Sequence, residues 1–204
     1  PPKVVKVGSW AYLSAASDAA GNVHAIVHEV RQYPSTAWSG RIKLLSLTPD
    51  LTPRSATFTL TSRMASFATR YTGIDVEADG TVHVAWFDER QYPNLDRYDV
   101  HYARFGGPDP SVGAVASALP GGYSISGDSA GVDNEGPKID VDPSGRAHIS
   151  WVVGHRVYYS SVDSLGVVGA MGVEVGAGAY RVGKKYFDEG LVALPDGHAE
   201  IVFG

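Results

Sequence analysis

The tetrapeptide Arg-Gln-Tyr-Pro occurs twice in this chain, as Arg31-Gln32-Tyr33-Pro34 and as Arg90-Gln91-Tyr92-Pro93. Arginine offers a planar fork of donors suited to a carboxylate or sulfate. Tyrosine offers a flat apolar face with a hydroxyl at its tip, which stacks well on a sugar ring. Arg31, Gln32, Tyr33, Arg90, Gln91 and Tyr92 therefore form a candidate ligand-binding set. A second reading stays open beside it: Tyr-Pro shapes a loop, and each arginine covers an apolar edge or pairs with Glu29 or Asp88.

Metal chemistry has weaker support. His24-Ala25-Ile26-Val27-His28-Glu29 places two histidines four apart, a spacing that serves zinc on a helix. On a strand they would lie about 13 Å apart at roughly 3.3 Å per residue, too far for one ion with bonds of about 2.1 Å. Zinc is rejected, and a buried structural histidine is expected. Oxygen ligands for calcium occur in two places: Asp128, Asp133, Asn134 and Glu135, and Asp88 with Asp96 and Asp99. Neither follows an EF-hand spacing, and solvated loop carboxylates explain both. No cofactor is implied, and the metal question stays open.

The elements that must position these residues are legible as a repeat. Four segments align on one glycine: SDAAGNVHAIVHE, VEADGTVHVAWFDE, VDPSGRAHISWVV and ALPDGHAEIVFG, anchored at Gly21, Gly80, Gly145 and Gly197. Three residues later the column reads His24, His83, His148 and Glu200. Self-similarity at this period predicts a repeat architecture. Each unit has a short apolar run, an Asp/Ser-Gly turn, and a second run apolar on both faces, as in Val82, Val84 and Trp86 against Ala85 and Phe87. Strands apolar on both faces are buried on both. Third strands follow at 99–105 and 156–160, a weaker fourth at 57–60, and an outer strand of small residues within 166–179. The turn acids Asp18, Asp79, Asp142 and Asp196 are expected to serve turn chemistry. Four antiparallel strands per unit, packed face to face, predict an all-β fold of β-propeller blades.

The run from Gly136 to Trp151, and that from Gly73 to Glu89 with its tyrosine-rich third strand up to Phe105, resemble the repeats of sialidase-like (BNR-type) propellers of secreted bacterial proteins. The resemblance covers about three blades. It implies one propeller over 1–204, with blades near 10–61, 72–118 and 137–175 and an incomplete fourth at 189–204, joined by a strand at 3–8. It also implies an extracellular or cell-surface setting. Two family signatures are missing: the strict Asp-box and the Phe/Tyr-Arg-Ile-Pro motif of the catalytic members. No catalytic residue is therefore assigned.

Composition narrows the partners. A net charge of −5 and the lack of any Lys/Arg block argue against nucleic acid, which is held through phosphate neutralisation. No apolar run approaches the ~18 residues of a membrane helix, and the chain contains no cysteine for a thiolate site or disulfide. In a propeller, the loops after second strands and those between blades share one face. That face would carry both Arg-Gln-Tyr-Pro motifs and the polar stretches 62–72, 121–136 and 176–190. The expected function is a non-catalytic carbohydrate-binding or protein-interaction propeller. The alternative is part of a glycan-active enzyme of sialidase-like or polysaccharide-lyase type. The incomplete fourth unit implies self-association or the remainder of a larger chain, with the larger chain favoured.

Overall fold

A computed structural model describes residues 11–32, 38–54, 58–59, 72–88, 99–106, 123–126, 134–154, 156–177 and 190–202. Fourteen strands run through them. The first sheet holds β1 (Ala11–Ser17), β2 (Val23–Gln32), β3 (Trp38–Leu47) and β4 (Phe58–Thr59). The second holds β5 (Thr72–Val76), β6 (Val82–Asp88), β7 (Asp99–Phe105) and β8 (Tyr123–Ser124). The third holds β9 (Asn134–Val141), β10 (Ala147–Val153), β11 (Arg156–Val162) and β12 (Val168–Ala177), and the fourth β13 (Gly190–Ala193) and β14 (Ala199–Val202). Within every sheet the strands lie in chain order and pair antiparallel. The fold is all-β, with no helix among the described residues, and thus none able to cross a membrane.

The anchoring glycines explain the hairpins. Gly21, Gly80, Gly145 and Gly197 have φ of 79°, 88°, 78° and 85°, the left-handed region in which a side chain is strained. In each turn the glycine N–H donates to the carbonyl three residues back, as Gly80 does to Glu77 at 2.9 Å. The first turn residue donates to the carbonyl four residues on, as Glu77 does to Thr81 at 2.8 Å. This is a type I turn closed by a left-handed residue, a geometry that matches strand twist. A fixed turn fixes the register, which places the repeat column opposite equivalent residues in each sheet.

The sheets stack face to face in chain order. Val82, Val84 and Trp86 of β6 pack with Ile26, Ile42 and Leu44 of the first sheet. On the other side, Ala85 and Phe87 pack with Ala147, Ile149 and Trp151 of the third. Val152 and Val157 then meet Ile201 of the fourth. The two-faced burial expected of the second strand is thus observed, and Trp86 and Trp151 are both fully enclosed.

The first strands of successive sheets lie side by side, β1 by β5, β5 by β9 and β9 by β13. Side chains staple them. The Ser14 hydroxyl donates to the Thr72 carbonyl at 2.7 Å. The Asp75 carboxylate accepts from the Val141 N–H at 2.7 Å, and that of Asp140 from the Ala193 N–H, also at 2.7 Å. Gly73 marks the tightest approach, since a Cβ there would lie 2.8 Å from the Pro137 carbonyl and 2.9 Å from Ile139. Pro137, lacking an N–H, sits where the β9–β10 register shifts, consistent with a bulge around a missing donor.

Candidate functional site

The repeat column builds the same polar cluster in three sheets. His24, His83 and His148 are all enclosed. Each Nε2 faces an acid six residues earlier: Asp18 at 3.4 Å, Glu77 at 2.8 Å and Asp142 at 3.3 Å. Each Nδ1 meets a hydroxyl on the third strand: Ser46 at 2.9 Å, Tyr102 at 2.8 Å and Tyr159 at 2.7 Å. An ionised carboxylate only accepts, so Nε2 carries the proton and donates to it. In the neutral ring Nδ1 then accepts, and the hydroxyl donates. Burial lowers the His24 and His83 pKa values and favours that neutral form, although the neighbouring acid pulls the other way. Burial pushes the Asp18 and Asp142 carboxyls up. Hydrogen bonds outweigh it and hold both below the ordinary carboxylate value, from Asn22 and His24 on Asp18 and from Ser144, Arg146 and His148 on Asp142.

The clusters of the second and third sheets sit beneath the next sheet. Gly145, in the turn of the third sheet, lies against Glu77 of the second, and Gly197 of the fourth lies near Asp142 of the third. The Arg104 guanidinium reaches Glu77 at 3.2 Å and also bonds the Ser164 carbonyl, which links the second sheet to the third. A hydroxyl–histidine–acid order could relay a proton, but here both ring nitrogens of each buried histidine are engaged in tying the turn and the second and third strands of one sheet together. The structural role expected for the column histidines holds.

The turn acids all serve their turns, as expected, and some do more. Asp79 and Asp196 accept from the N–H two residues on at 2.8 Å and 3.1 Å, and Asp196 also lies 3.1 Å from the exposed His198 Nδ1 within its own turn. Asp18 and Asp142 accept in the same way and also hold a buried column histidine, while in the second sheet that histidine's acid is Glu77. The recurring spacing of acid to histidine was the available sequence signal. A second missed pair is Asp75 with Asp140, whose carboxyls meet between sheets. Burial, and then the Asp140 carboxylate, push the Asp75 pKa up to about 6, against the N–H donors of Val76 and Val141.

Of the predicted recognition residues, Arg31 and Gln32 lie at the end of β2 away from its glycine turn. Arg31 and Gln32 do not follow β2, as expected, but close it, paired with Ser39 and Trp38 of β3. The hairpin extends because β2 and β3 keep an uninterrupted register from Val23↔Leu47 to Gln32↔Trp38. Tyr33, Arg90, Gln91 and Tyr92 lie outside the described residues, as do the segment 3–8 and the stretches 62–71, 127–133 and 178–189. Arg31 and Arg90 each stand seven residues after a column histidine. In the third sheet only residues 154 and 155 join the second and third strands. Of the calcium candidates, Asp99 is buried and accepts from the Ser126 hydroxyl at 3.2 Å. Among the described residues no three His, Asp or Glu side chains converge as a metal site would require.

A cavity of about 410 Å³ opens between the third and fourth sheets, lined by Tyr159, Val175, Gly197, His198, Ala199 and Ile201. Its one phenol, Tyr159, is engaged with His148.

No protein-family model and no curated protein matches the chain. Among solved structures it is similar to the crystal structure of the polysaccharide lyase Uly1, at a TM-score of 0.45 and 14% identity. The likeness covers 95% of this chain and 47% of the other, so the chain spans about half the length of that neighbour.

Proposed function

We propose that the chain is a run of sialidase-like propeller blades acting as a non-catalytic recognition module, which binds an acidic glycan outside the cell. The three four-stranded sheets and the two-stranded fourth would be successive blades, with the boundaries expected from the repeat. One observation carries the non-catalytic reading. The histidines of the hydroxyl–histidine–acid sets are enclosed, and both nitrogens of each ring are engaged by neighbours in the set. Recognition then falls to the sheet end away from the tight turns, where Arg31 closes β2, and Arg90 is its counterpart in the sequence repeat. The third sheet manages the same connection with residues 154 and 155 alone, so a blade folds without the motif.

The test is a glycan array with the wild-type chain and with Arg31→Ala, Arg90→Ala and the double variant, alongside thermal melts. Each single variant should lose affinity for carboxylated or sulfated glycans by about tenfold, the scale of a charge-assisted bidentate contact, at unchanged melting temperature. Equal binding by the double variant would reject the reading. Turnover of a glycoside or uronic-acid polymer would instead identify a glycan-active enzyme.

A further inference from the structure

Two junctions between sheets are closed by carboxyls at one position of the repeat. Asp75 and Asp140 stand five residues before Gly80 and Gly145, where the first and fourth sheets have Ala16 and Val192. Asp75 spends Oδ1 on the Val76 N–H at 2.8 Å and Oδ2 on the Val141 N–H at 2.7 Å. Val141 follows Asp140, so this bond brings the first carboxyl up to the second, and the two hydrogen-bond to each other. An ionised carboxylate only accepts, so that bond needs a proton on one of them. Asp140 repeats the pattern, since its Oδ2 accepts from the Ala193 N–H of the fourth sheet at 2.7 Å. Between the first and second sheets the Ser14 hydroxyl and the Thr72 carbonyl do the same work without an acid.

Two carboxylates in contact repel unless a cation lies between them. The charged groups of the surrounding strands are committed elsewhere. His83, across β6 from Asp75, gives Nε2 to Glu77, which Arg104 also holds. His148, across β10 from Asp140, gives Nε2 to Asp142. Ile74 and Val76 pack toward the first sheet, so Asp75 between them points away from β1 and β2. Lys138 of β9 and Glu200 of β14 are exposed, and β13 carries no titratable side chain. Among the described residues no cation pairs with either carboxyl.

We propose that Asp75 and Asp140 share one proton and form a pH-sensitive lock, which holds the second, third and fourth sheets together in mild acid and loosens their junctions when the proton leaves. Each carboxyl oxygen has a second lone pair, so the shared proton displaces none of the three N–H bonds. Once it passes to solvent, two half-buried charges face each other, and their repulsion falls on the strands they join. Burial and the Asp140 carboxylate both raise the Asp75 pKa, to about 6. The protonated form is thus favoured in the folded chain, and its stabilisation is lost as pH rises from the ordinary carboxylate value through about 6. Junctions of this kind can open without unfolding the whole chain.

The test is hydrogen exchange read by mass spectrometry on the whole chain at about pH 5 and about pH 7, with rates corrected for the intrinsic effect of pH. Protection over β9 and β13 should fall roughly tenfold at the higher pH, while that over β1 holds. Asparagine copies the shape of the protonated acid, so Asp75→Asn and Asp140→Asn should each abolish the fall over both strands. Wild-type protection over β9 and β13 that ignores pH would overturn the proposal. So would an equal fall over β1, since the chain would then be unfolding as a whole. A fall over β9 that survives Asp140→Asn would show Asp75 titrating alone, and the shared proton would be rejected. None of these outcomes touches the Arg31 and Arg90 reading, which glycan binding tests separately.

Discussion

Replacing Tyr102 with phenylalanine removes one oxygen from a place no water reaches. The Tyr102 hydroxyl lies 2.8 Å from His83 Nδ1, Tyr102 is 1% exposed and His83 is 0% exposed. His83 Nε2 is committed to Glu77, so the ring cannot switch tautomer without breaking that bond as well. Tyr102→Phe therefore leaves a buried acceptor unsatisfied. Such a group costs about 1–3 kcal/mol, with almost no change in packed volume to confuse the result. Tyr159→Phe is the internal control. Its bond to His148 is equally short at 2.7 Å, but Tyr159 is half-buried and lines the cavity, where water can replace the lost donor. Its expected cost is about 0.5–1 kcal/mol. Urea unfolding followed by tryptophan fluorescence reads both, because Trp86 and Trp151 are enclosed in the folded chain. A Tyr102→Phe loss no larger than that of Tyr159→Phe would refute burial as the source of the cluster's strength.

Two more outcomes follow from the sheet junctions. Asp75 holds its proton up to about pH 6, above the ordinary value of 3.8. The folded state therefore binds that proton more tightly than the unfolded chain. Asp75 opposes folding increasingly as pH rises from about 4 to about 6, by about 2 kcal/mol after discounting for its partial exposure. Unfolding free energies of wild type and Asp75→Asn, compared across that window, should move in the variant's favour as pH rises, and a constant difference would contradict the assignment. Gly73→Ala should destabilise by about 1–3 kcal/mol in the same urea assay, because its Cβ meets a backbone carbonyl at 2.8 Å. An Ala variant as stable as wild type would mean that β5 and β9 are not held this close.

Much of the fold could be read from local rules. The positive-φ requirement at Gly21, Gly80, Gly145 and Gly197 shows in sequence as a recurring glycine, because only glycine adopts that conformation without strain. Alternation in Val82–Phe87 shows burial on both faces because successive strand residues point to opposite sides. The histidine column was recognisable as structural from its recurrence. Its acid partner stands six residues before each histidine: Asp18 and Asp142 were read only as turn acids, and Asp79, nearer the glycine, hid Glu77.

What only the tertiary structure decided involves residues that no local spacing connects. Asp75 reaches the backbone of Val141, and Asp140 that of Ala193. Tyr102 and Tyr159 take the hydroxyl role in two sheets, while Leu44 fills the matching position in the first and Ser46 supplies the oxygen instead. A backbone N–H carries no sequence signature, so an acid that pairs with one leaves no complementary charge to find. The cavity beside Ile201 is likewise a property of stacking, since Tyr159 and Val175 meet Ala199 only when the third and fourth sheets pack. The sequence determined how each sheet turns and which faces it buries, through backbone sterics and alternation. The stacking of sheets decided which side chains meet, because burial and cross-sheet hydrogen bonds exist only once the sheets are in contact.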